Sequence, residues 1–176
     1  MAAHRAIHLV RGAQDSVEID PAHFVKDWLF EMVGMKHGRV VLERTYVAQL
    51  CFHSPDGVLR EAKPITANLY PFLSTLMKRV VATSWDRISA KGASVIAVPK
   101  EDLVDVYDAF SDRWKIVGFE SDHFIRKRLE GFKRTLNDEL IRIGIPTKLF
   151  CHNSSVGYWL SVHPECLSLN ALDDGL

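Results

Sequence analysis

Two hydrophobic periods run along the chain, and each assigns an element. After Asp20-Pro21, a capping residue followed by the proline that suits a first helical position, Phe24, Val25, Trp28, Leu29, Met32 and Val33 recur at helical spacing. They predict a helix closed by Gly38, preceded by a short strand over residues 5–11. From 39 to 53 the period becomes two. Leu42, Tyr46, Ala48, Leu50 and Phe52 alternate with Glu43, Thr45, Gln49 and His53, which predicts a strand with one buried face. Ser54-Pro-Asp-Gly57 supplies a turn, because proline presets φ and glycine accepts a positive one. Residues 58–65 return as the hairpin partner, with Pro64 at the strand end or on a sheet edge.

Phe72, Leu73, Leu76, Met77, Val80, Trp85 and Ile88 predict one long helix over 71–91, stopped by Gly92. Residues 93–98 read as a buried strand, 101–114 as a helix and 115–119 as another short strand. A last helix over 122–143 is marked by Leu129, Phe132, Leu136 and Leu140 and ended by Gly144 and Pro146. Residues 147–163 read as a closing hairpin that turns at 153–155. The order predicts an α+β fold: a ferredoxin-like split βαβ core with additional helices and a C-terminal β-hairpin. A three-layer α/β arrangement is the alternative, because the middle of the chain also alternates helix and strand. Residues 1–163 are expected to form a single α+β domain and 164–176 a flexible acidic tail.

Composition changes this picture little. Of 176 residues, 47% are hydrophobic and 25% charged, which supports a packed core. No window approaches a membrane span, and the opening MAAHRAIHLVRG is too short and broken an apolar run for a signal peptide. Three cysteines suit a reducing compartment, so a cytoplasmic protein is expected. Net charge is zero, so any grip on nucleic acid must be local.

One such local patch exists. Arg126, Lys127, Arg128, Lys133 and Arg134 crowd into nine positions of the last predicted helix, against Glu130 alone. Repulsion between like charges at this density disfavours a purely structural surface, and the same charges can contact several phosphates. Lys78, Arg79, Arg87 and Lys91 extend the patch if the preceding long helix lies alongside. Arg126, Lys133 and Arg134 are expected to share an outward face with Glu130 and Asn137.

Other chemistries are poorly supported. Lys91-Gly92 opens like an RNA-recognition strand, but Ala93, Val95 and Val98 stand where its stacking aromatics belong. Cys151, His152, His163 and Cys166 suggest zinc, yet the predicted hairpin carries Cys151 and His163 too far apart to share one ion. No phosphate-binding glycine loop, nucleophile elbow or paired-histidine metal motif occurs, and no cofactor is expected. Tyr158 and Trp159 point to opposite faces of the last strand, so one needs cover from added helices or a partner; Phe30 raises the same need. The expected function is a non-catalytic accessory protein that binds nucleic acid, or an acidic protein of a nucleic-acid-handling complex, through the basic helix. The alternatives are a protein–protein adaptor or inhibitor, and a small enzyme with a histidine site beside His53 or His123.

Overall fold

The computed structural model of the chain describes residues 20–41, 44–114, 127 and 129–170, without the side chains of 36–44 and 110–114. Strand β1 (Leu29–Val41), β2 (Arg44–His53) and β3 (Leu59–Thr66) come first. Helices α1 (Tyr70–Val81), α2 (Trp85–Lys91), α3 (Lys100–Trp114) and α4 (Glu130–Arg142) follow. The chain then forms β4 (Phe150–Asn153), β5 (Gly157–Leu160) and β6 (Leu167–Asn170). The class is α+β. One sheet has the order β3-β2-β1-β6, antiparallel except for the parallel β1–β6 pair, and β4 with β5 makes a separate hairpin. Among the described residues no helix is long and apolar enough to cross a membrane.

The predicted helix over 20–38 is mostly strand. Asp20 does cap a turn, accepting from the Ala22 amide at 2.9 Å, but that turn ends at His23. Beyond it the burial has period two. Trp28, Phe30 and Met32 face the core while Leu29 and Val33, 39% and 37% exposed, face out. Seven of the ten residues from 24 to 33 are apolar, enough to supply both a helical stripe and the alternate strand face of Trp28, Phe30 and Met32, and pairing with β2 decided for the strand. Phe30, 1% exposed against Phe52 at 5.3 Å, is therefore a core residue and needs no partner. The β-α-β-β block behind the ferredoxin-like reading is thus a β1-β2-β3 meander among the described residues. The strands expected over 5–11 and 115–119 lie outside them.

The β2–β3 hairpin has the expected alternation and turn. Ala48, Leu50 and Phe52 are buried, and β3, with Pro64 in it, is a sheet edge. Its turn closes by itself: the Gly57 amide donates to the Ser54 carbonyl at 2.8 Å, and the Ser54 hydroxyl donates to Asp56. That bond leads the causes that hold the Asp56 carboxyl below its ordinary range.

The long helix expected over 71–91 is two helices. Ser84 leaves the helical conformation and accepts from the Arg87 amide, so it starts α2 rather than continuing α1. No strand follows: residues 92–95 form a 3-10 turn, and Val98 makes only an isolated bridge to Tyr158. Ala93, Ile96 and Val98 are buried, but their apolar run is too short to mark a period. Phe72 of α1 stacks on Tyr107 of α3, ring centres 5.5 Å apart.

The expected tail starts as structure. His163 caps a 3-10 turn over Pro164–Cys166, and Leu167–Asn170 pairs with β1 as the sheet's other edge, with Leu167 buried. Residues 171–176 lie outside the described ones. Trp85 ties this corner to the chain's entry, with His163 at 4.4 Å, Phe24 at 5.9 Å and the Lys26 ammonium 5.1 Å above its ring.

Candidate functional site

Helix α4 carries two stripes. Leu129 before it, with Leu136 and Leu140, faces the core. Glu130, Lys133, Arg134, Asn137 and Asp138 recur at i, i+3, i+4, i+7 and i+8, which puts them on a second common face. That face meets β4. Together with Lys148, Phe150, Cys151 and His152 it lines a cleft of about 310 Å³. A Lys63–Glu139 ion pair of 2.8 Å, with the Lys63 ammonium over the Phe132 ring, fixes α4 to the sheet edge from the other side.

Asn137 fastens the cleft wall. Its Oδ1 accepts from the Leu149 amide at 3.1 Å and the Phe150 amide at 2.9 Å, while its Nδ2 donates to the Phe150 carbonyl at 2.8 Å. All three bonds are buried, so the side chain stands in for a missing strand beside β4. Sequence spacing placed Asn137 outward with the basic residues. It is buried, because a neutral amide satisfies the start of β4 where a charged group would be left unpaired.

At the other end of the cleft, Glu130 holds two groups. Tyr158 donates its hydroxyl to Glu130 Oε1 at 2.7 Å, and Lys133 pairs with Oε2 at 3.0 Å. Burial pushes the Glu130 carboxyl up, but the bonds from Tyr158 and Lys133 outweigh it and hold it below its ordinary value. Burial, then the same carboxylate, pushes the Tyr158 hydroxyl far above the usual tyrosine range. His152 pairs with Tyr158 across the hairpin, rings 4.2 Å apart and tilted by 32°. Burial lowers the His152 pKa; Glu130 opposes that, and Lys133 and Lys100 reinforce it. Behind this wall Ser161 accepts from Trp159 Nε1 at 2.9 Å and lies 3.2 Å from Cys151 Sγ.

Gly157 lets the hairpin approach the start of α3. It has φ 112°, and a Cβ there would stand 2.2 Å from the Val98 carbonyl oxygen. Val98 and Tyr158 exchange two backbone bonds of 2.8 and 2.9 Å at this point.

The expected basic patch is divided by this arrangement. Lys127 and Arg134 are exposed, Lys133 is committed to Glu130, and Arg126 and Arg128 lie outside the described residues. Lys78 and Arg79 on α1, and Arg87 and Lys91 on α2, are also exposed. However, α1 packs on α3, β5 and β6, whereas α4 packs on β4. Helices α1 and α4 do not pack closely on each other among the described residues. Tyr158 and Trp159 are both buried, at 3% and 0% exposed. The hairpin register pairs Cys151 with Trp159 rather than with Tyr158. Among the described residues no three histidine, cysteine or acidic side chains stand close enough to hold a metal. His123 lies outside the described residues, and His53 ends β2 away from the cleft.

Sequence reasoning missed Asn137 and His152 as a pair facing one cleft. A polar residue between Leu136 and Leu140 was the available signal for the first; the second had none, because its neighbour Glu130 comes from another element. No protein-family model, curated protein or solved structure matches the chain.

Proposed function

We propose that the chain is a non-catalytic, cytoplasmic accessory protein that binds nucleic acid through the exposed face of α4 and its cleft. The observation that supports this most is the charge around the cleft. Lys133, Arg134 and Lys148 line it, against Glu130 and Asp138, and Lys127 is exposed three positions before Glu130. Lys133 and Glu130 neutralise each other, and of the other charges Lys127, Arg134 and Lys148 outnumber Asp138, so the face offers phosphates a net positive surface. The basic groups of α1 and α2 then form a separate patch, and Arg126 and Arg128 stay in the proposed set with Lys127 and Arg134. Fluorescence anisotropy with single-stranded RNA, single-stranded DNA and duplex probes at two salt concentrations tests the reading. Binding that weakens steeply with salt, and that Lys127→Glu with Arg134→Glu abolishes in a folded protein, is the expected result. Salt-independent binding favours a protein–protein adaptor, and no binding at low salt removes the proposal.

One observation favours a second reading. His152 lines the cleft with no hydrogen bond to either ring nitrogen among the described residues, close enough to Glu130 to feel its charge. A histidine-based enzyme would use this residue rather than His53. Cleavage of the same RNA probes on incubation, lost in His152→Ala, would establish it.

A further inference from the structure

We propose that the cleft between α4 and β4 is a pocket for one ribonucleotide of a single-stranded RNA, with the base stacked on His152 and the phosphate held by Arg134 and Lys148. This rests on the nucleic-acid reading above. A volume of about 310 Å³ is at the small end of ligand pockets and suits one nucleotide, not a duplex. Two of its charged groups are unspent. Arg134 and Asp138 have no hydrogen-bond or ion-pair partner among the described residues, and Asn137 commits only one of its two amide N–H groups. Guanidinium presents a planar fork that matches two phosphate oxygens, and Lys148 adds a second cation at the rim.

The stacking platform is built in advance. Tyr158, buried and bonded to Glu130, backs the His152 ring, and His152 lines the cleft. Burial helps keep that ring neutral near pH 7, which suits stacking on a base. Asp138 is an acceptor one turn beyond Arg134 on the same stripe. A ribose 2′-hydroxyl is the donor that complements it, and a deoxyribose lacks one.

The test is an NMR titration of the full chain, following the His152 ring and Asn137 side-chain signals. The probes are a ribonucleoside 5′-monophosphate, its 2′-deoxy form, the nucleoside and inorganic phosphate; anisotropy with an RNA octamer runs in parallel. The ribonucleotide should shift both signals and bind more tightly than the other three. His152→Ala should weaken it about tenfold while His152→Phe keeps it, since stacking needs a ring and not a nitrogen. Arg134→Ala, at an exposed position, should remove the advantage of the nucleotide over the nucleoside. Inorganic phosphate binding as well as the nucleotide overturns the pocket and leaves a simple anion site. Salt-sensitive octamer binding with no nucleotide response also overturns it, but leaves the nucleic-acid reading standing. Silence from both probes removes the two together.

Discussion

In the β2–β3 hairpin the turn is closed by its own residues, Ser54, Asp56 and Gly57, and the strands run ten and eight residues, β2 with one face buried. The β4–β5 hairpin has strands of four residues, and every residue of β5 is buried. It is held from outside: by Asn137 from α4 at the start of β4, by Glu130 on Tyr158, and by Val98 across Tyr158. A hairpin that carries its own register can sit at an edge with little further support. One that borrows its register from α4 and from the segment before α3 also gathers side chains around it, and the cleft lies where it meets α4.

The two turn glycines give the sharpest way to break this comparison. Both have positive φ, 82° at Gly57 and 112° at Gly157. A Cβ at Gly157 collides with backbone, which cannot move without opening the Val98–Tyr158 bridge. Gly157→Ala should cost about 4 kcal/mol in chemical denaturation, from strain and overlap together. Asn137→Ala comes next. It leaves two buried amides without their acceptor, and about 3 kcal/mol is expected, with faster hydrogen exchange at Leu149 and Phe150.

Tyr158→Phe removes one bond to a carboxylate and should cost about 2 kcal/mol. It should also raise the Glu130 pKa in an NMR acid titration, because Tyr158 is one of the groups that lower it. Gly57→Ala meets open space and carries only the conformational penalty, about 1 kcal/mol. A loss at Gly57 equal to that at Gly157 would dissolve the distinction between the hairpins.

The smallest effect is in pH. The folded His152 pKa lies below its ordinary value near 6.5, so the unfolded chain takes up the proton first. Its contribution to stability is complete above that value and is lost as pH falls through the lowered folded one. Thermal melts from pH 7.5 to 5 should show this fall, and His152→Gln should reduce it. Glu130, also lowered, adds a loss further down, as pH falls below the ordinary glutamate range.

Much of the chain could be read locally. The alternation in β2, the Ser54–Gly57 turn, the stripes of α1 and α3 and the end of α4 at Gly144 follow from spacing and turn chemistry. The misreadings share one cause. Residues 24–33 satisfy both periods, 93–98 satisfy neither, and 167–170 are short and polar at alternate positions; in each case a partner strand or helix made the choice. Ser84 is different, because it caps α2 inside an apolar stripe that continues across the break.

The sequence by itself determined the α+β class, the first hairpin and the basic character of the α4 face. These depend on side chains within a few positions of each other. Tertiary structure alone decided that Glu130 would take the Tyr158 hydroxyl, that Asn137 would turn inward, and that His152 would face Arg134 across a cleft. Those relations join α4 to β4 and β5, residues 12 to 28 positions apart. Only packing of the apolar stripe on the other side of α4 brings them within reach of one another.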